Sequence, residues 1–437
     1  MKRCLLDQFS QSAGKMKSIL VAFSLFVAGC LAVRYDGYET IRIEPQNHEQ
    51  RTWLQILELS LKDKIDVWQS SALEGHPMDV MVAPRFQAEL KEILDVQQVP
   101  YHVMIKDVQS LVDTQTKDVG TSNDFDYTQY HTYDEIQQWV VDFSAQYPSI
   151  VSMYKLTTSF EGRDVHGIKL TGTGGTQPKK AIWWQGGIHA REWISPATVM
   201  WICKSMAEDY GVDPTVTAVM DAFDFYIIPS LNADGYEYTW SNDRLWRKTR
   251  SKTSGFCVGT DPNRNYAYEW GGMRGCQYFP CSETYRGPTA NSENIIKGST
   301  EFLMNLKQSG HDFVSFIDFH SYSQLFLYPW SYSARASLPA DSTDHGVAAT
   351  KFSDGLKAVY GTEYTVGPSA RTLYAASGCS VDWGYATLGA KYSYVVELRD
   401  TGRYGFLLPA NQIEPSGIET YAAVKAYLGH MLEEYYP

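Results

Sequence analysis

The chain has 437 residues, of which 44% are hydrophobic and 20% charged, and its formal net charge is −12. This length and composition indicate a folded globular protein of more than one domain. The acidic balance argues against nucleic acid as a partner, and beyond the N-terminus no stretch is long and apolar enough to cross a bilayer.

The N-terminus carries the pattern of a secretion signal. Lys17 precedes an apolar core over residues 18–28, and a small-residue cleavage site ends at Ala32. The alternative, a membrane anchor, requires a longer apolar run. We therefore expect residues 1–32 to be a signal peptide, with translation starting at Met1 or Met16, and the mature protein to be secreted.

Residues 33–106 predict a small first domain of the ferredoxin-like, split βαβ kind, with the order β-α-β-β-α-β. Its histidines have no ligand spacing, so no catalytic site is expected in it. The predicted strands cover residues 37–43, 65–68, 79–82 and 101–105, and the predicted helices cover residues 49–61 and 86–94.

Residues 107–117 are predicted to form a linker. The stretch from residue 107 to 125 is rich in Thr, Asp, Ser and Asn, and Lys117 is its one basic residue after Lys106. Exposed polar connections of this kind are preferred sites of proteolysis, so we expect the activating cleavage in this linker, after Lys117.

Residues 118–437 predict a larger second domain in which strands and helices alternate. Such alternation is typical of a parallel or mixed sheet that is covered by helices on both faces. The predicted strands cover residues 151–156, 166–170, 181–185, 223–228, 313–319 and 392–398, and the predicted helices cover residues 132–146, 197–210, 292–308, 346–360 and 417–435.

A glycine turn at the end of one predicted strand presents a histidine and a glutamate. The apolar run of residues 181–185 is followed by two glycines, and then by His189 and Glu192. Ligand sites in open α/β sheets lie at the carboxyl ends of strands. A catalytic zinc takes imidazole and carboxylate ligands and keeps one open position. The turn therefore indicates a metal site, and Ser195 is predicted to cap the helix that follows.

A third ligand is predicted at the end of another strand. The apolar run of residues 313–319 leads directly into His320. Asp261 is a candidate acceptor for the outer N–H of an imidazole ligand. A second His-x-x-Glu pair begins at His430, but it lies in an amphipathic helix without a strand or a glycine turn before it. We interpret that pair as a solvated helix face.

Five motifs in order give the chain a family resemblance. They are His-Ala-Arg-Glu-Trp (189–193), Leu-Trp-Arg-Lys (245–248), Asp-Pro-Asn-Arg-Asn (261–265), His-Ser-Tyr-Ser-Gln (320–324) and Glu-Leu-Arg-Asp-Thr-Gly-Arg-Tyr-Gly-Phe (397–406). Over residues 33–437 the chain resembles the pancreatic-type zinc carboxypeptidases of the A and B classes. The resemblance implies an α/β fold, an α/β/α sandwich around a mixed eight-stranded sheet, with a ferredoxin-like α+β activation domain.

The same resemblance implies the cofactor, the partners and the roles of individual residues. It predicts one Zn2+ per chain, peptide or protein C-termini as substrates, a trypsin-like activating protease and a monomeric enzyme. Glu397 is expected to act as general base and acid, Arg247 to polarise the scissile carbonyl, and Asp261 to support the first zinc ligand. The zinc ligands implied are His189, Glu192 and His320. The substrate-binding residues implied are Arg191, Asn263, Arg264, Ser321, Tyr322 and Tyr374.

These residue types suit an exopeptidase. The guanidinium of Arg264 can form two charge-assisted hydrogen bonds to a terminal carboxylate. Zinc lowers the pKa of bound water towards about 7. Glu397 ends an apolar strand, where a carboxylate without a function is costly.

The pocket for the C-terminal side chain is expected after Tyr374, with Val381 at the position where B-class enzymes place an aspartate. Valine predicts a preference for aromatic and large aliphatic residues, and a preference for C-terminal Lys or Arg is the alternative. Ser331, Ser369 and Cys379 depart from the A-class pattern, so the depth of the pocket stays open.

By the same resemblance, Cys257 and Cys281 are expected to form a disulfide. At least one free thiol is then expected among Cys203, Cys276 and Cys379. Two other classes of function stay open: an inactive relative that binds peptides, and a related zinc amidohydrolase acting on small acyl amino acids.

Overall fold

The computed structural model describes residues 32–61, 64–71, 73, 75–115, 125–272 and 278–437. The predicted signal peptide up to residue 31, the predicted cleavage site at Lys117 and the thiol of Cys276 lie outside these residues. Among the helices of the described part, none combines the length and the apolar character needed to cross a membrane.

The first domain has the predicted order of elements. Its four antiparallel strands are arranged β2-β3-β1-β4, and alternate side chains of β1, including Ile41 and Ile43, are buried in its core. Asn47 caps α1 by accepting a hydrogen bond from the backbone N–H of Gln50. The elements are β1 Glu39–Ile43, α1 His48–Ser60, β2 Ile65–Gln69, β3 Met78–Val82, α2 Pro84–Val96 and β4 Tyr101–Ile105.

The segment predicted to be a linker contains a helix, α3 (Val108–Gln115). Val108 is buried in a cluster that includes side chains of the second domain. Gln115 donates from its side-chain amide to the carbonyl oxygen of Leu408, at 2.7 Å. This helix was not predicted from the polar composition, because tertiary contacts rather than local propensity stabilise it.

The second domain is built on an eight-stranded mixed sheet, in the order β11-β10-β12-β9-β7-β8-β6-β5. The strands are β5 Val151–Thr158, β6 Asp164–Leu170, β7 Lys180–Gly186, β8 Phe223–Ile228, β9 Phe313–Ser321, β10 Leu325–Tyr328, β11 Thr365–Pro368 and β12 Tyr392–Leu398. The helices are α4 Tyr133–Gln146, α5 Ile194–Asp209, α6 Pro214–Ala222, α7 Ala233–Ser241, α8 Asn294–Gln308, α9 Ser342–Tyr360, α10 Ser369–Thr372, α11 Ser380–Trp383 and α12 Ile413–Tyr435.

The centre of this sheet positions the site. Strands β8, β7, β9 and β12 run parallel to one another, so their carboxyl ends meet at one edge. Glu397 of β12 is paired in register with His320 of β9. The helices α5, α9 and α12 pack together on the sheet, which supports the predicted layers. The capping box of α4 is confirmed, since Thr132 and Glu135 hydrogen-bond reciprocally.

A disulfide joins Cys257 to Cys281 and closes a loop around the segment that carries Asn263 and Arg264. Within the described residues, Cys203 and Cys379 are free thiols, and both are buried.

Candidate metal centre and active site

The loop after β7 is fixed to the neighbouring strand. Gly187 has a positive φ of 61°, and a Cβ there would lie 2.9 Å from Ser230 Oγ. Ser195 was predicted to be an N-cap, and that prediction is wrong. Its hydroxyl accepts from the N–H of Gly187 at 2.9 Å and donates to the carbonyl of Phe319 at 2.5 Å, inside the first turn of α5. This bond ties the loop that carries the two candidate ligands to β9.

Three predicted ligand side chains converge at this edge of the sheet, and all three are buried. His189 Nδ1 lies 2.8 Å from Glu192 Oε1, and His320 Nδ1 lies 3.1 Å from Glu192 Oε2. The two Nδ1 atoms are 3.1 Å apart. Two imidazoles and a carboxylate form the donor set of a catalytic zinc site.

The outer ring nitrogens fit the same assignment. His189 Nε2 lies 3.1 Å from Asp261 Oδ1, and His320 Nε2 lies 3.1 Å from Asp318 Oδ2. Asp261 accepts at His189 Nε2, which leaves a lone pair on Nδ1, and a proton on His320 Nε2 would leave the Nδ1 lone pairs of both rings facing each other. Facing lone pairs at this distance repel unless a cation lies between them. The residues present therefore suit a zinc ion.

Two carboxylates of this group have pKa values below their ordinary range. Although burial acts to raise it, the neighbouring imidazoles of His189 and His320 hold the pKa of Glu192 well below its usual range. Burial likewise opposes ionisation of Asp261, yet the guanidiniums of Arg247 and Arg264 hold its pKa well below the ordinary value. Glu192 and Asp261 are thus anionic at neutral pH.

Arg247 lies beside the three candidate metal ligands. Its Nε and Nη2 donate to Asp261 Oδ2 at 3.2 and 3.0 Å, and its Nη1 lies 3.7 Å from Glu192 Oε1. The Asp261 carboxylate therefore orients this guanidinium and one imidazole together. A fixed positive charge at this point can stabilise an oxyanion that develops next to it.

Glu397 faces the same cleft from β12, at the position paired with His320. Burial raises the pKa of Glu397 to about 8, and the neighbouring side chains of His320 and Arg247 act in the opposite direction. A bound cation would also lower this pKa. A carboxyl group balanced in this way can exchange a proton near neutral pH.

A buried guanidinium lies next to this group. Arg264 Nη1 donates to the carbonyl of Asn263 at 2.7 Å, and its Nη2 lies 3.5 Å from the hydroxyl of Tyr374. Its Nε has no hydrogen-bond partner among the described residues. A buried Arg with spare donors is suited to a carboxylate ligand.

One part of the cleft, called here the side pocket, lies beside Arg264. Its polar members are Ser331 and Ser369, whose hydroxyl oxygens are 3.1 Å apart, and Cys379, whose pKa burial raises to about 11. The two carboxylate oxygens of Asp382 accept the backbone N–H groups of Ser331 and Tyr332, so both are already hydrogen-bonded. The apolar side chains that line the pocket are Leu327, Leu373, Ala376, Val381 and Val395.

Two predicted subsite residues contact the first domain. Arg191 Nη1 donates to Asp66 Oδ2 at 3.1 Å, and its guanidinium lies 4.1 Å from the ring centre of Phe406. The hydroxyl of Tyr322 donates to Asp79 Oδ2 at 2.7 Å. The backbone N–H of Ser321, a third predicted residue, donates to Glu192 Oε2 at 3.3 Å.

One cleft thus brings together most of the predicted residues, whereas Arg191 and Asp261 are not among the residues that line it. The predicted residues that line the cleft are His189, Glu192, Arg247, Asn263, Arg264, His320, Ser321, Tyr322, Tyr374, Val381 and Glu397.

Trp68, Gln69 and Asp318 are among the contributors to the site that sequence reasoning missed. Trp68 and Gln69 of the first domain line the same cleft, and nothing in their local sequence marks them. Asp318 did carry a signal. It interrupts an apolar strand two positions before His320, so strand alternation places both side chains on the same face.

Comparisons with known proteins agree with this geometry. Residues 136–423 match the family described as zinc carboxypeptidase, and residues 41–115 match the carboxypeptidase activation peptide. Carboxypeptidase A1 of Bos taurus is 40% identical over 430 residues, covering 96% of this chain and 100% of that protein. Carboxypeptidase A2 of Mus musculus is 39% identical over 409 residues, covering 92% and 95%. The crystal structure of thrombin activatable fibrinolysis inhibitor superposes with a TM-score of 0.81 at 34% identity, covering 90% of this chain and 98% of that one.

Proposed function

The chain belongs to the zinc carboxypeptidase family, and from that premise we propose that it is the secreted precursor of an enzyme that releases aromatic and large aliphatic residues from peptide C-termini. The observation that carries this proposal is the buried guanidinium of Arg264, which has spare donors and lies in the same cleft as the His-Glu-His group.

Recognition of a free C-terminus follows from the residues around Arg264. Its guanidinium, with the amide of Asn263 and the hydroxyl of Tyr374, offers several donors to a terminal carboxylate. An internal peptide bond offers no carboxylate at this position. The scissile bond would then lie one residue from the carboxylate, towards the metal group.

The remaining residues supply the chemistry of hydrolysis. One zinc ion, held by His189, Glu192 and His320, would act as a Lewis acid and lower the pKa of water. Glu397 accepts a proton from the attacking water and delivers it to the leaving amine. Arg247 places its guanidinium where the carbonyl oxygen becomes negative, and Asp261 keeps that guanidinium in place.

The preference for apolar C-terminal residues rests on the side pocket. Val381 is fully buried among apolar side chains, which include Leu327 and Val395. A buried ammonium or guanidinium would lose several kcal/mol of hydration there without a partner. Asp382 does not provide that partner, because its oxygens accept two backbone N–H groups.

We expect Val381→Asp to move the preference towards C-terminal Lys and Arg. The unsubstituted enzyme should favour a Phe peptide over a matched Lys or Arg peptide by about a hundredfold or more in kcat/KM, or about 3 kcal/mol. Val381→Asp should largely remove that difference, because a carboxylate compensates the buried charge.

Val381→Asn is the matched control, since it adds a polar group of the same shape without the charge. The measurement is kcat/KM on peptides that end in Phe, Leu, Lys and Arg. If the unsubstituted enzyme cleaves a Lys or Arg peptide at least as well as the Phe peptide, the preference is of the B class.

Latency of the precursor is the second part of the proposal. Asp66 and Asp79 of the first domain accept hydrogen bonds from Arg191 and Tyr322, respectively. Arg191 and Tyr322 are two of the proposed subsite residues. Trp68 packs on Phe406, with ring centres 5.2 Å apart. A peptide substrate would compete with these contacts, so the first domain obstructs the approach to the cleft.

We expect limited trypsin treatment to cut after Lys117 and to raise the activity of the secreted protein. Removal of the first domain frees Arg191 and Tyr322 for substrate. The measurement combines peptidase assay with N-terminal sequencing of the active form, which should begin at Asp118. Lys117→Gln is the control and should activate more slowly. Full activity of the uncut chain would refute latency.

A further inference from the structure

Asp318 is a buried carboxylate for which the proposed reaction has so far given no role. It lies in β9 and is fully buried. Its Oδ2 accepts a hydrogen bond from the hydroxyl of Ser380 at 2.5 Å and lies 3.1 Å from His320 Nε2. Its Oδ1 is buried without a hydrogen-bond partner among the described residues.

The surroundings of Asp318 contrast with those of Asp261. Asp261 is paired with Arg247 at 3.0 Å and lies 3.9 Å from Arg264, in addition to His189. Within the described part of the chain, the only ionisable partner within ion-pair distance of Asp318 is the ring of His320. A buried carboxylate without a cation is costly. A metal ion on Nδ1 would polarise the ring of His320 and make its Nε2–H a stronger hydrogen-bond donor to this carboxylate.

Asn263 competes with Asp318 for the same ring nitrogen. The Nδ2 of Asn263 lies 3.2 Å from His320 Nε2, and its Oδ1 accepts the backbone N–H of Ser380 at 2.8 Å. This second bond fixes the amide so that its NH2 group, a donor, faces the ring. Two arrangements are then possible, because the ring nitrogen either donates to Asp318 or accepts from Asn263.

The two arrangements have opposite consequences for the metal centre. If His320 Nε2 accepted from Asn263, the ring proton would move to Nδ1, which lies 3.1 Å from both His189 Nδ1 and Glu192 Oε2. A protonated Nδ1 cannot bind a metal ion. If Nε2 donates to Asp318, Nδ1 keeps its lone pair, and the amide donors of Asn263 remain available in the cleft for the substrate.

We infer that Asp318 is a positioning residue that holds His320 in its metal-binding tautomer and releases the amide of Asn263 for the terminal carboxylate. The inference rests on the proposed role of His320 as a zinc ligand. It assigns to His320 the same kind of carboxylate support that Asp261 gives to His189, from the side of β9 rather than from the loop.

The test is the release of zinc from purified, trypsin-activated protein to a chromogenic chelator, together with the absorption spectrum of the cobalt-substituted protein. Asp318→Asn should release zinc about 10- to 100-fold faster, the usual cost of losing the outer partner of a ligating histidine. The cobalt spectrum should change as well. KM for a Phe peptide should also rise, because Asn263 is drawn towards the ring.

Ser380→Ala is the matched control. It removes the hydrogen bond between Ser380 and Asp318 and leaves the contact of Asp318 with His320. If Asp318 only bridges β9 and α11, Ser380→Ala and Asp318→Asn should affect zinc release equally, and the inference is overturned. Unchanged zinc release in Asp318→Asn also overturns it. Asp318→Ser, with a smaller side chain, repeats the test if Asp318→Asn does not fold.

A different outcome would concern the proposed function itself. If the unsubstituted protein holds no zinc, or if His320→Ala keeps zinc as tightly as the unsubstituted protein does, the ligand assignment fails before Asp318 is tested. The chelator assay on these two proteins therefore separates the two proposals.

Discussion

Glu397→Gln should lower turnover by at least about a hundredfold, the usual scale for general acid–base catalysis. Glutamine has the shape of glutamate but cannot accept the proton of the attacking water. Glu397 is the carboxyl group of the cleft whose pKa burial raises, to about 8, and it is paired in register with His320. The fall should be in kcat, because Glu397 acts in proton transfer rather than in recognition of the C-terminus.

The measurement is steady-state kinetics on a Phe peptide, with zinc content determined on the same preparation. Zinc should stay bound, because Glu397 is outside the group formed by His189, Glu192 and His320. Near-normal turnover with full zinc would mean that another group takes the proton. Loss of zinc would instead make Glu397 part of the metal site.

Replacement of His189, Glu192 or His320 by alanine should remove both zinc and activity. The three donor groups lie within hydrogen-bond distance of one another and are buried, so water cannot easily replace a missing ligand. The loss of zinc affinity should exceed the roughly 10- to 100-fold that follows loss of an outer partner. The unsubstituted chain should bind one zinc, and chelation should abolish activity reversibly.

The second His-x-x-Glu pair of the chain provides a control for this experiment. His430 lies in α12 and belongs to the C-terminal helix, so His430→Ala should leave zinc content and activity unchanged. Metal analysis of dialysed proteins at micromolar concentration is the measurement. Full zinc occupancy in the three ligand variants would show that the metal is held elsewhere.

Much of this site could be predicted because its signals are local in the sequence. The run from β7 into the glycine turn and the run from β9 into His320 are both apolar strands that end in a ligand. Parallel neighbours bring such ends to one edge of a sheet. The order of elements in the first domain followed from periodicity for the same reason, as did the capping box at Thr132.

Other features depend on tertiary contacts and were therefore missed. Strands β10 and β11 have four residues each, too few for alternation to be recognised. Ser195 has the local chemistry of an N-cap, but its hydroxyl instead donates a hydrogen bond to the carbonyl of Phe319 in β9. The helix α6 had a usable signal that was overlooked, because Asp213 caps it directly before a proline at its first position.

The polarity of individual residues led to two wrong interpretations, one of a polar segment and one of a polar residue in an apolar strand. The predicted linker looked unstructured because it is polar, although Val108 and Gln115 of α3 are buried. Asp318 was read as part of an apolar strand, although a carboxylate in such a strand requires a partner. For α3 the partners come from a distant part of the chain, as Leu408 does for Gln115, whereas the partner of Asp318, the ring of His320, lies only two positions away.

The most direct test of the central claim compares two peptides that differ only at the C-terminus. One ends in Phe with a free carboxylate, and the other is the same peptide with a terminal amide. Mass spectrometry of both, after incubation with the trypsin-activated protein, should show loss of the terminal Phe from the acid, none from the amide, and none from either with a chelator. Equal cleavage of the amide, or cleavage within the peptide, would contradict recognition of the carboxylate by Arg264 and with it the proposed exopeptidase.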